Sequence, residues 1–179
     1  MPERAALVVI DVQLGLIDGF EEDWAEVLPV IAQQVERARR AGAPIVFVQH
    51  NGASPQHPLA PGSPGWALHP GLDVHGEDLR VTKSWSDAFA DTDLHAQLRS
   101  AGATRVVVVG AQTEFCVDAT VRRAASLGYD VDLVADGHTT SASDLLSRRQ
   151  IVSHHNATLP ALAYVGVKVR AVPGAELAW

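Results

Sequence analysis

The apolar residues of this chain fall into short unbroken runs, and stretches of helical spacing separate them. Residues 5–10 (Ala-Ala-Leu-Val-Val-Ile), 44–48 and 106–109 are such runs, the last of four consecutive valines. A run without polar alternation reads as a strand buried on both faces. Further strands are expected at 79–82, 129–134 and 165–172. Val27, Val30, Ile31, Val35 and Ala38 recur at three- and four-residue intervals, which predicts a helix from a cap at Asp23 to about residue 40, stopped by Gly42. Val117, Thr120, Val121, Ala124 and Ala125 predict another from about 116 to 127, ending before Gly128. A shorter helix is expected over 92–101, closed by Gly102, and a last one from Ser143 or Asp144 to about 159, interrupted near Pro160. Residues 14–22 read as a loop or short turn. Residues 52–78 hold five prolines and five glycines, so they read as a long irregular segment able to wall a pocket.

Strands alternate with helices along the whole chain. This predicts an α/β fold in three layers: a doubly wound, mostly parallel six-stranded sheet in the order 3-2-1-4-5-6, with helices on both faces. The strands at 5–10 and 106–109 then lie side by side at the centre. One domain over 1–179 is expected, because the length suits a single core and no linker or repeat divides it.

Composition narrows the function. The chain is 47% hydrophobic and 20% charged, with a formal net charge of −7. An acidic chain without a Lys/Arg run is a poor partner for nucleic acid or an anionic membrane. No apolar run approaches the roughly 20 residues of a membrane span. With Met1-Pro-Glu leading directly into a strand and no signal peptide legible, a cytoplasmic protein is expected. The single cysteine excludes an internal disulfide and a cysteine-only zinc site.

That cysteine, Cys116, stands where the valine strand gives way to a helix. The carboxyl ends of parallel strands are where open α/β sheets bind ligands. A helix N-terminus is expected to lower a thiol pKa from about 8.5. Asp11 follows the first strand and Lys83 the third, so all three residues belong on one rim. Asp11 could take the thiol proton, Lys83 could hold the resulting charges, and backbone N–H groups of the turn at 110–116 could bind an oxyanion. The residues alone leave a second reading open, in which Cys116 is a small buried hydrophobe, Asp11 a cap and Lys83 a surface charge.

Three segments resemble one family. Val8-Val9-Ile10-Asp11-Val12-Gln13, Lys83-Ser84-Trp85-Ser86-Asp87-Ala88-Phe89 and Gly110-Ala111-Gln112-Thr113-Glu114-Phe115-Cys116-Val117-Asp118-Ala119-Thr120 are similar to the isochorismatase-like cysteine hydrolases, which include nicotinamidases. The resemblance spans nearly the whole chain and implies the doubly wound fold. It also implies a catalytic triad of Asp11, Lys83 and Cys116 that cleaves the C–N bond of a small amide through a thioester. A cis peptide at Ala111-Gln112 is implied, with the backbone N–H groups of Gln112 and Cys116 as oxyanion hole. Ester or isochorismatase-type hydrolysis on the same site, or a non-catalytic chain with a structural cysteine, are the alternatives. Gln13, Leu16, Phe20, Trp66, Trp85 and Phe115 are the expected substrate contacts. Nicotinamidases hold a metal through an Asp-x-His pair after the second strand; here the segment reads Gln49-His50-Asn51-Gly52. No metal or other cofactor is therefore expected, although His50, His57, His69 and His75 remain. The partners expected are a small-molecule substrate and further copies of the chain, as a dimer or tetramer.

Overall fold

The computed structural model describes residues 4–162 and 164–179. The Met1-Pro-Glu leader lies outside the described residues. Six strands form one sheet: β1 (Ala5–Ile10), β2 (Ile45–His50), β3 (Leu79–Lys83), β4 (Arg105–Ala111), β5 (Asp130–Thr139) and β6 (Val169–Val172). Their order is β3-β2-β1-β4-β5-β6, as the alternation predicts, and every pairing is parallel. The helices are α1 (Leu14–Ile17), α2 (Glu21–Trp24), α3 (Val27–Arg40), α4 (Leu94–Ser100), α5 (Asp118–Ser126) and α6 (Arg148–Ala161).

The central strands are buried throughout, so successive residues serve two different cores. Leu7 and Val9 pack with Ile31, Val35 and Ala38 of α3. Ala6, Val8 and Ile10 pack on the opposite face with Leu94 and Leu98 of α4 and Val121 and Ala124 of α5. This two-sided burial is why the strands carry no polar alternation.

Several boundaries differ from the sequence expectation. The expected helix at 23–40 is divided into α2 and α3, and Asp23 lies inside α2 rather than capping it. Pro29 lacks the N–H that would bond back to Ala25, so it is best tolerated in the first turn of a new helix. α6 begins at Arg148 rather than at 143 or 144. Ser147 and Gln150 form a capping box there, and the helix continues through Pro160 to Ala161. β5 runs past Asp136 and Gly137 to Thr139, with a register irregularity opposite Val108 and Gly110. β6 starts at Val169, not 165, because Gly166 turns the chain at φ +80°. Residues 14–17 are helical. The long segment at 52–78 is irregular apart from one 3-10 turn at Pro64–Trp66.

That segment is anchored across the carboxyl end of β1. The Leu14 N–H donates to the Ala67 carbonyl and the His69 N–H to the Val12 carbonyl. The segment thereby becomes one wall of the rim that holds the chemistry.

Candidate active site

Asp11 is the first residue past β1, and the backbone turns there at φ +52°. Its Oδ2 accepts a 2.7 Å hydrogen bond from Lys83 Nζ at the end of β3. The pair is sealed, with side-chain exposures of 0% for Lys83 and 1% for Asp11. The same ammonium donates to Cys116 Sγ at 3.2 Å and to His50 Nδ1 at 3.2 Å. An ammonium has three protons, and all three have acceptors here. Asp11 Oδ1, by contrast, is buried without a hydrogen-bond partner. The structure thus brings together the three residues that sequence reasoning named and adds His50, which that reasoning weighed only as a metal ligand. His50 is the last residue of β2, so the strand-end argument that found the others would have found it too.

Cys116 does not open an α-helix. It lies within a π-helical turn, Thr113–Val117, that precedes α5. The expected fall in its pKa is overturned, because burial, with Asp11 beside it, pushes the thiol up to about 11, and the Lys83 charge offsets this only in part. Burial also raises the Asp11 carboxyl, against the opposing charge of Lys83. These shifts oppose proton exchange with water. Moving the proton from sulfur to Asp11 is a different step. Thiol, carboxylate and ammonium sum to zero charge, and so do thiolate, acid and ammonium, so burial does not penalise the internal transfer.

A cavity of about 200 Å³ opens over Cys116, with Asp11, His50 and His57 among its walls. Leu16, Leu59 and Phe115 supply its apolar surface, and Gln112 its polar remainder. The Ala111–Gln112 peptide bond is cis. A larger cavity of about 380 Å³, around Asp136 and Arg148, shares no lining residue with this one and contains no cysteine.

Of the expected substrate contacts, Leu16 and Phe115 reach the cavity. Gln13 does not. It is fully buried and braces the rim, its amide N–H groups donating to the carbonyls of His50 and Trp66 while its oxygen accepts the His50 N–H. Trp66 donates its indole N–H to Asn51 and holds the long segment in place. Trp85 is 58% exposed and bonds to Asp91, and Phe20 lines a separate depression with Gly19 and Glu21. In each case the residue type suits a pocket, but the side chain is directed elsewhere.

Asp11, His50 and Cys116 offer one oxygen, one nitrogen and one sulfur within 4.8 Å of one another. That set does not fit a resident metal, because the Lys83 ammonium already occupies the point on which the three atoms converge. Gln49, next to His50, donates its amide to the Trp66 carbonyl.

A profile described as the isochorismatase domain matches residues 5–167. The chain belongs to the isochorismatase family. Among its family relatives, a streptothricin hydrolase of Streptomyces noursei is 42% identical over 137 residues, covering 75% of this chain and 49% of that protein. The chain spans about half the length of the streptothricin hydrolases it matches. Nicotinamidase 3 of Arabidopsis thaliana is 30% identical over 173 residues, covering 89% and 81%. The crystal structure of an isochorismatase from Pseudomonas putida superposes with a TM-score of 0.86 at 28% identity, over 99% of this chain and 94% of that one.

Proposed function

We propose that this isochorismatase-family chain is a cysteine hydrolase that cleaves the C–N bond of a small amide through a thioester. The observation that carries this reading is the single ammonium of Lys83, bonded at once to Asp11 and to Cys116 on a cavity floor. Relatives named streptothricin hydrolase and nicotinamidase support an amide-type substrate. The cavity, about 200 Å³, lies below the roughly 300–1,000 Å³ of sites for drug-sized ligands, so a small amide or the amide end of a larger molecule fits it.

In the first half-reaction Cys116 Sγ attacks the carbonyl carbon and the thiol proton passes to Asp11. The unpartnered Oδ1 is the available acceptor. Lys83 balances the negative charge whether it lies on sulfur or on carboxylate. The Gln112 and Cys116 backbone N–H groups act as donors to the oxyanion. Collapse breaks the C–N bond, and Asp11 returns the proton to the departing nitrogen. In the second half-reaction Asp11 takes a proton from water, hydroxide adds to the thioester, and the C–S bond breaks. The sulfur regains its proton, leaving a carboxylic acid and an amine or ammonia.

The test is ammonia release from a panel of small amides, imides and carbamates, run beside Cys116→Ser. Release by the unaltered chain and its loss in the variant is expected. Equal release by both would overturn Cys116 as the nucleophile.

A further inference from the structure

The proposed mechanism leaves two cavity histidines without a role toward substrate. Both are fixed in the same tautomer by a protein donor at Nδ1. Lys83 Nζ lies 3.2 Å from His50 Nδ1, and an ammonium can only donate, so neutral His50 carries its proton on Nε2. The Leu59 backbone N–H donates to His57 Nδ1 at 3.0 Å, with the same result. Neither Nε2 has a hydrogen-bond partner among the described residues, and both rings line the cavity that holds Cys116. The seat of His57 is built into the chain: its ring lies against Gly52, where a Cβ would come 2.3 Å from Nδ1. His50 is tied to the reacting atoms, since one of its ring nitrogens lies within 4.8 Å of both the Asp11 oxygen and Cys116 Sγ. Leu16, Leu59 and Phe115 add only apolar surface.

We propose that His50 and His57 are specificity-determining residues whose two Nε2–H groups bind a second acceptor oxygen of the substrate. The preferred substrate class is then a small amide that also carries a carboxylate, or a further carbonyl, close to the scissile carbonyl. A carboxylate suits two N–H donors in one cavity best, because it offers two oxygens and its hydrogen bonds are charge-assisted. The groups that face His50 are Lys83, Asp11, Cys116 and His57. Burial and then the Lys83 charge hold its pKa below the usual imidazole value, so the neutral tautomer persists at neutral pH.

This inference rests on Cys116 as the nucleophile, and the experiment separates the two. Cys116 of the full chain is labelled with iodoacetamide at mildly alkaline pH, and protection by matched amides is measured. The pairs are oxamate against acetamide, malonamate against propionamide and succinamate against butyramide, each differing by carboxylate against methyl. In at least one pair the carboxylate member is expected to half-protect at about tenfold lower concentration. His50→Asn keeps an acceptor for Lys83 at the Nδ1 position but removes the Nε2–H, and His57→Ala removes an exposed ring. The preference is expected to fall toward unity in both. No preference in any pair, or a preference that survives both substitutions, overturns the proposal. Failure of Cys116 to label in the folded chain even as the pH is raised toward the thiol pKa of about 11, with labelling restored by denaturant, instead sinks the nucleophile reading and this inference with it.

Discussion

Cys116 and Asp11 influence each other in a direction that mutation can read. The buried carboxylate raises the thiol and the Lys83 ammonium lowers it. Asp11→Asn is therefore expected to bring the thiol pKa down from about 11, and Lys83→Met to push it further up, followed by thiolate ultraviolet absorbance against pH. Both substitutions are nevertheless expected to reduce amide hydrolysis by about 100-fold or more, because one removes the proton acceptor and the other its counter-charge. A thiol pKa unmoved by Asp11→Asn would show that the two groups are not electrostatic neighbours. Asp11 and Cys116 were legible because each follows a buried strand at its carboxyl end, and Lys83 because it closes β3 on the same rim. Gln13 was not, although it stands only two residues from Asp11. Side-chain alternation ends with the strand, and the turn at Asp11 sends Gln13 into the protein.

The turn that carries Cys116 is held by neighbouring elements, and this tie was invisible in the sequence. His138 of β5 is buried between the Thr113 hydroxyl, 2.9 Å from Nδ1, and the Asn156 Oδ1 on α6, 3.0 Å from Nε2. Nothing in the local pattern marks it, since a histidine inside a strand announces no partner. Burial depresses its pKa to about 4. The sign of the consequence follows: the unfolded chain binds a proton near pH 6.5 and the folded chain does not until about 4. Its contribution to stability is complete above pH 6.5 and is lost as the pH falls from there toward 4, amounting to about 3 kcal/mol. Urea unfolding across that range should show the loss, and His138→Gln should flatten it. β4 and β1 approach each other as tightly at the other side of the turn. A Cβ on Gly110, at φ +121°, would meet the Ile10 carbonyl oxygen at 2.0 Å. Gly110→Ala is expected to cost about 2–4 kcal/mol in the same assay. Helix existence and strand order were readable from periodicity. The starts of α3 and α6 depended instead on Pro29 and on the Ser147–Gln150 pair, which act through single missing or added hydrogen bonds.

At the scale of the molecule, the sheet divides two cores, and the last residues return to close one of them. Arg37 donates to the Gly174 and Leu177 carbonyls, Trp179 donates to Gln34, and Leu177 is 3% exposed in the core over α3. Leu177→Ala is expected to destabilise the chain by about 2–4 kcal/mol without altering Cys116 labelling, measured by urea unfolding and alkylation in parallel. The layered architecture was legible because double-sided burial leaves its imprint on every central strand. The return of the carboxyl-terminal segment was not, because its ties run through backbone carbonyls that no residue type advertises. Among the described residues no helix is long and apolar enough to cross a membrane. The sulfur's environment has one consequence for the molecule's lifetime. With its pKa pushed up to about 11, Cys116 loses its proton to water at pH 7 far less often than an unperturbed thiol. Peroxide attacks the ionised form, so the resting chain should resist oxidative inactivation in air and keep its reactivity in reserve until a carbonyl arrives.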